Sequence, residues 1–342
     1  MTAPARPDAS SVPKVVVWGT GSIGRRHLQV LKDGGFASPI ALSARGQRSL
    51  GSPLTDIPTV ASLEEAVERG AVAAIIATNT SRHIEDSVNA ARVGLKLLVE
   101  KPLSVEARES DLLRREVQAL GIDACVGYCL RFHPALRTFR EYLPQIGPVH
   151  HVRIACQSYL PDWRPEADHR KGYSARATEG GVLRDLSHEL DYALWIFGLP
   201  RMVTATLSSS GRLGIESEES ADVTWLLGDM TISFRLDYMT RATRRTMHAF
   251  GELGELSCDL GTNEVAIRIG EATGRCIPLP DVDRNTVLAN QARAFLHGPS
   301  GSDWLTLASL EDAQQVVAIC DAARRASETG QSQAMRKLDE IP

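Results

Sequence analysis

The sequence predicts an α/β chain of two domains, a doubly wound parallel sheet followed by an α+β region richer in strands. Three observations carry this expectation. Short apolar strands alternate with amphipathic helices over roughly the first 125 residues. Near residue 130 the pattern changes to strand-like runs joined by short turns. The length, 342 residues, exceeds what one hydrophobic core usually serves.

Taken in order, the opening MTAPARPDASSVPK is rich in Pro, Ala and Ser. It lacks the apolar centre of a signal peptide, so residues 1–13 read as a loose tail. KVVVW at 14–18 reads as a buried strand, and glycines lead from it into the helical pattern IGRRHLQVLKD. Residues 40–43 read as a second strand. AVAAIIA at 71–77 is apolar throughout, as a parallel strand covered on both faces must be. A helix is expected at 83–94, a fourth strand at 95–99, a helix at 104–120 with Ser104 as N-cap, and a fifth strand at 122–127. These elements make a first domain of 14–128. In the second, 129–342, a helix at 133–143 precedes strands at 149–159, 201–210, 220–227, 230–238, 244–251 and 263–269. The turns LGDM and GELGEL imply antiparallel hairpins. A long helix at 182–197 interrupts the strands, and another at 305–328 closes the chain.

Composition excludes several classes. The formal net charge of −4 gives no global reason to bind nucleic acid or an anionic membrane. No apolar run reaches the roughly 18 residues of a membrane span. The six cysteines are dispersed, and Cys125 and Cys129 have no second pair to complete a zinc site. Free thiols in a reducing, cytoplasmic compartment are expected, with no metal.

Gly19-Thr20-Gly21-Ser22-Ile23-Gly24 directly follows a strand and opens a helix. In that context the first glycine permits the tight turn, the second lets a pyrophosphate approach the backbone, and the third lets helix and strand pack closely. The helix N-terminus adds amide donors and partial positive charge. These features predict a dinucleotide site of the Rossmann type. NAD sites usually carry an acid about 20 residues on. Here Ser43, Arg45 and Arg48 stand there without one, which favours the 2′-phosphate of NADP over NAD.

Glu100-Lys101-Pro102 follows the fourth strand, so Lys101 is placed at the cleft beyond the strands' carboxyl ends. The second chemical cluster is GGVLRDLSHELD at 180–191. On one continuous helix Leu183, Leu186, Leu190, Leu194 and Phe197 share a face. Asp185 and His188, three apart, fall together roughly opposite, outside that core face. A His beside an Asp can exchange a proton near neutral pH.

The strand–GTGSIG–helix, the ATNTSRH segment, EKP and the GG…D…H..D helix, in that order, resemble the Gfo/Idh/MocA oxidoreductases over nearly the whole chain. The resemblance implies a Rossmann domain and a C-terminal domain built on a large, open, mainly antiparallel sheet. It implies hydride transfer between NAD(H) or NADP(H) and sugars, inositols or sugar nucleotides. Lys101 would assist proton transfer, with His188 or Asp185 as acid/base. Thr78, Asn79, Thr80 and His83 match the stretch lining the cofactor, with Glu100 and Lys101 beside it. The family commonly spaces its helix Asp-x-x-x-His-x-x-Asp. Here Asp185 sits only three residues before His188, which leaves open which side chain faces the hydride carbon. Asn79 stands where many members have proline.

Tyr128 and Arg131, then Trp163, Arg164 and Tyr173 with His169, Arg170 and Lys171, collect cations and aromatics after the first domain. Together with Lys101 and His188 they are the expected substrate contacts, suited to a sugar and its acidic group. This run resembles family members of bacterial surface-sugar and nonulosonate metabolism. The expected partner is therefore a small sugar-like molecule. Two other readings stay open: reduction of a C=N or C=C bond, and a non-catalytic sensor of the cofactor. A homodimer or homotetramer is expected too, because an open sheet with one bare face exposes apolar surface, TWLLG at 224–228 being a candidate strand.

Overall fold

The computed structural model describes residues 12–44, 46 and 50–335. Arg45 and Arg48 lie outside the described residues. The first sheet holds β1 (Lys14–Trp18), β2 (Ser38–Leu42), β3 (Thr59–Val60), β4 (Ala71–Ile76), β5 (Lys96–Val99) and β6 (Ala124–Val126). Between them run α1 (Ser22–Gly34), α2 (Leu63–Glu68), α3 (His83–Arg92) and α4 (Ser110–Leu120). The strand order is β3-β2-β1-β4-β5-β6, all parallel. The order reverses between β1 and β4, which opens a crevice at their carboxyl ends.

After α5 (Pro134–Tyr142) comes β7 (Val149–Tyr159), then α6 (Val182–Asp185) and α7 (Ser187–Phe197). The strands continue as β8 (Met202–Ser208), β9 (Ser220–Leu227), β10 (Met230–Asp237), β11 (Met239–Gly251), β12 (Gly254–Asp259), β13 (Glu264–Ile269) and β14 (Arg275–Ile277). The chain then forms α8 (Arg284–His297), α9 (Leu310–Thr329) and β15 (Gln333–Ala334). Among the described residues nine strands make the second sheet, in the order β14-β13-β12-β11-β7-β10-β9-β8-β15. Only β7 and β10 run parallel; the other pairs are antiparallel.

Side chains alternate across this sheet as the pleat requires. Val223, Trp225, Phe234, Leu236, Ile154 and Met247 are buried in one core cluster with Leu190, Leu194 and Val316 from α7 and α9. This corrects the expectation for TWLLG. Trp225 is wholly buried, 4.6 Å from Phe234, while Asp222 and Thr224 point outward. The uncovered face carries Arg153, stacked on Phe250, and the Arg235–Asp222 ion pair, so it mixes charged and aromatic groups.

Four departures have local causes. The 182–197 segment is two helices because Lys101 Nζ takes the Asp185 carbonyl at 2.7 Å. That oxygen would otherwise accept from Glu189, whose N–H turns instead to Leu186 O at 3.2 Å. Ser104 does not cap α4: its hydroxyl bonds Glu106 O, and a Glu106–Glu109 capping box starts the turn that leads into α4. The last helix begins at Leu310 behind a Ser309–Asp312 capping box. Helix α8 escaped the periodicity reading because it is buried on more than one side. Val287, Ala292 and Phe295 pack with the first domain's core, and Leu288 and Ala289 pack against Val30 of α1. Among the described residues no helix is long and apolar enough to cross a membrane.

Candidate active site

The glycine loop has the backbone its sequence implies. Gly19 sits at φ 110°, where a Cβ would lie 2.3 Å from Ala77 O. A Cβ on Gly24 would meet Gly19 O at 1.8 Å, so this glycine is what brings α1 against β1. Gly21 differs: a Cβ there meets nothing within 4 Å. It is the N-cap of α1 and no side chain caps the helix. Open space in front of unspent amides is what a diphosphate requires. Beside it a cavity of about 480 Å³ is lined by Trp18, Leu42, Ser43, Ala44 and Arg82, among others, at the ends of β1 and β2. Thr20 Oγ1 and Ser43 Oγ lie 3.4 Å apart, and the Arg82 guanidinium stands over the Trp18 ring. Thr78 Oγ1, at the end of β4, is buried without a hydrogen-bond partner. These features fit a dinucleotide.

His83 and Glu100 act as braces here. His83 is 1% exposed. Its Nδ1 lies 2.9 Å from Pro102 O and its Nε2 3.2 Å from Thr78 O. It thus ties the loop after β4, with Asn79 and Thr80, to the loop after β5. Burial holds the His83 pKa below its usual value. Glu100 is buried, with Oε1 2.7 Å from His27 Nε2 and Oε2 accepting from the Lys101 amide at 3.2 Å. Burial raises its pKa, but His27 and Lys101 outweigh that and leave it below the ordinary carboxylate range. His27 belongs to α1, so the pair links the glycine-loop helix to the loop that carries Lys101. The sequence reading missed His27; its signal was a polar residue beside Leu28 on a helix face otherwise bound for the core.

Lys101, Asp185 and His188 converge from two domains. Lys101 Nζ reaches the Asp185 carbonyl. The break at Leu186 places Asp185 inside the structure rather than on an open helix face: it is 5% exposed. Its Oδ2 accepts from Tyr238 Oη at 2.6 Å, and its Oδ1 is buried without a partner. The Tyr173 hydroxyl is kept un-ionised by burial and by this carboxylate. His188 is half-buried, its Nδ1 unpartnered, and the Tyr128 ring meets it edge-on at 5.6 Å. Burial, then the charges of Lys101, Arg245 and Arg284, push the His188 pKa well below its ordinary value. The imidazole is therefore neutral at neutral pH, with a free lone pair for a proton. Tyr238, at the bend between β10 and β11, and Arg245, within β11, belong to no motif and were not readable from the sequence. Arg245 pairs with Glu189, Nε to Oε1 at 2.6 Å.

The remaining expected contacts divide. Arg131 is 2% exposed, bidentate on Asp191 at 2.6 Å to Oδ1 and 3.0 Å to Oδ2, and 3.0 Å from Asp312. Its donors face inward and tie three segments of the second domain together. Tyr128 is buried too and reaches Ser187 Oγ at 3.5 Å. Trp163 bonds Ser158 Oγ and stands edge-on to Tyr238 at 5.4 Å. Arg164 is exposed close by, His169 bonds Leu213 O, and Arg170 is occupied by Asp168.

Comparison with known proteins agrees with this geometry. An inositol 2-dehydrogenase of Rhizobium meliloti (strain 1021) is 26% identical over 322 residues, 86% of this chain and 93% of that one. Among solved structures, levoglucosan dehydrogenase in complex with NADH and L-sorbose superposes with a TM-score of 0.83 at 17% identity, covering 96% of this chain and all of the other. The UDP-N-acetylglucosamine 3-dehydrogenase GnnA from Acidithiobacillus ferrooxidans gives 0.76 at 20%, covering 93% and 98%. Residues 13–128 match the oxidoreductase family with an NAD-binding Rossmann fold, and residues 144–257 match the Gfo/Idh/MocA C-terminal domain. With both halves matched in order around a cleft holding Lys101, Asp185 and His188, the chain belongs to the Gfo/Idh/MocA family of oxidoreductases.

Proposed function

We propose that the chain oxidises a secondary alcohol, or reduces the matching ketone, of a sugar derivative, with NADP(H) preferred over NAD(H). The observation that carries the reading is the Lys101 Nζ bond to the Asp185 carbonyl, at the break before the helix that carries a partly open His188. The nicotinamide, when bound, supplies or accepts the hydride. Lys101 spends one of its three N–H donors on Asp185 O and keeps two for a substrate oxygen. His188 is suited to take or return the hydroxyl proton. Asp185 Oδ1 is the alternative acceptor, lying deeper and next to Tyr238. The relatives named above act on polyols and sugars, which supports the substrate class. The NADP preference rests on Ser43, Arg45 and Arg48 and on the lack of an acid there.

Nicotinamide absorbance, followed with NADPH and NADH over a panel of keto-sugars and their alcohols, tests the reading. Turnover faster with NADPH supports it. Binding of either cofactor without turnover on any sugar or polyol rejects the dehydrogenase reading and favours a cofactor sensor. Tighter NADH binding rejects the NADP preference.

A further inference from the structure

We propose that Tyr238 is a positioning residue for the reaction: its hydrogen bond to the Asp185 carboxylate fixes the single helical turn against which Lys101 is set. The proposal rests on the oxidoreductase reading above and adds what holds the reacting groups in place.

The need for such a residue follows from the segment itself. The four residues of α6 lie between Gly181, at φ 95°, and the break at Leu186. A lone helical turn fixes several backbone dihedrals for very few hydrogen bonds, so it is not rigid by itself. Its last residue is bonded on two sides. The Asp185 carbonyl accepts from Lys101 Nζ at 2.7 Å, and the Asp185 carboxylate accepts from Tyr238 Oη at 2.6 Å. Lys101 thus takes its place from Asp185, and Asp185 takes its own from Tyr238.

Tyr238 is suited to this because the second sheet holds it. It stands at the bend between β10 and β11. Its N–H donates to Glu219 O at 3.0 Å, and its carbonyl accepts from the Leu160 N–H at 2.9 Å. The Trp163 ring meets it edge-on, and Trp163 Nε1 is in turn fixed to Ser158 Oγ at 2.9 Å. Burial, then the Asp185 charge, raise the Tyr238 pKa well above its ordinary value, so the hydroxyl keeps its proton and donates. A hydroxyl–carboxylate bond this short, away from water, fixes orientation more strongly than a neutral one. The side chain is wholly buried. With no exposed surface, it acts through Asp185 and not on the substrate.

Two other side chains brace the same turn. Glu218 Oε1 accepts from the Leu183 amide at 3.3 Å, and Arg184 Nη2 donates to Val105 O at 3.0 Å. Of these three, Tyr238 is the one bonded to the Asp185 carboxylate. Its loss frees that group to rotate and leaves the turn beneath Lys101 less constrained. A misplacement of about 1 Å at a reacting group can cost about 10²-fold in rate.

The test is a double-mutant cycle on the full chain with NADP(H), using the substrate that the parent turns over fastest among inositol, levoglucosan and the keto-sugars of the panel above. Tyr238→Phe keeps the ring and its contact with Trp163 and removes only the donor. It is expected to lower kcat about ten-fold or more, with KM and NADPH affinity each within about three-fold of the parent. Asp185→Ala and the double variant are expected to match each other in kcat within about three-fold, because a residue that acts through Asp185 has no effect once the carboxylate is gone. Urea unfolding checks each protein. If the stranded carboxylate unfolds Tyr238→Phe, the comparison of Asp185→Ala with the double variant still decides, since the double variant leaves neither partner unpaired. A Tyr238→Phe protein within about two-fold of the parent in kcat overturns the proposal. So does a double variant about ten-fold or more below Asp185→Ala, which makes Tyr238 independent of Asp185. A rise of about ten-fold or more in KM with kcat unchanged also overturns it, since that places Tyr238 in substrate binding. A parent that turns over none of the panel rejects the oxidoreductase reading and this role with it, whereas parent turnover unaltered in Tyr238→Phe rejects the role alone.

Discussion

A methyl group added at Gly21 separates cofactor binding from folding. In Gly21→Ala the new Cβ enters open space, with no protein atom within 4 Å, and the residue keeps an ordinary φ of −71°. Folding should therefore change modestly: alanine is a poorer N-cap than glycine by up to about 1 kcal/mol. The methyl instead occupies the space through which a diphosphate reaches the amides of α1. Charge-assisted hydrogen bonds contribute about 1.5–3 kcal/mol each. Losing two is about 3–6 kcal/mol, or roughly 10²–10⁴-fold in affinity. The assay is NADPH fluorescence titration paired with urea unfolding of the unliganded protein. Gly24→Ala is the contrast: its Cβ collides with Gly19 O at 1.8 Å, so unfolding shifts to lower urea even without cofactor. A Gly21→Ala protein that binds NADPH within about three-fold of the parent would refute the placement of the diphosphate.

Lys101→Met and His188→Ala should each lower kcat by about 10²–10⁴-fold while leaving NADPH affinity nearly unchanged, since positioned acid/base groups contribute that much. If Asp185→Asn abolishes turnover while His188→Ala keeps more than about a third of it, Asp185 is the base and the role given to His188 is wrong. Arg131→Ala strands the buried Asp191 carboxylate and should cost about 3–5 kcal/mol in urea unfolding; a change under about 1 kcal/mol would remove Arg131 from the domain's frame. His133 gives a pH signature, because burial and then the Arg245 charge lower its pKa from 6.5 to about 4. The folded state binds the proton less readily than the unfolded chain. Its contribution is full above pH 6.5 and lost as pH falls toward 4, at most about 3 kcal/mol for a shift of this size. The neutral Nδ1 also caps α5 by accepting from the Ala135 amide at 3.2 Å. His133→Asn should flatten urea stability between those pH values; an unchanged slope would contradict the assignment.

The first sheet was legible in the sequence because its signals are local. Apolar strands such as AVAAII and a glycine loop between strand and helix act through their own backbone, and they appear where the spacing put them. Elements built on long-range partners were harder to read. The pair β3 and α2, the strand β12 behind GELGEL, and α8 carry no strong period, and α8 is stabilised by two bodies at once.

The sequence by itself determined the class of chemistry. Gly19 to Gly24, Lys101 after a buried strand, and Asp185 with His188 on one segment are residue types at spacings that few other functions require. Tertiary structure alone decided how those groups are held and which remain free. One Lys101 hydrogen bond breaks a helix that periodicity drew as continuous, and so turns Asp185 inward onto Tyr238. Arg131, a plausible anion contact by residue type, is used up by Asp191 and Asp312. Arg245, which no motif marks, arrives from β11 to pair with Glu189 of α7. The reason is common to all three. A side chain's chemistry is set by its residue type, but its availability depends on the partners that packing brings to it, and those partners lie more than about 50 residues away in the chain.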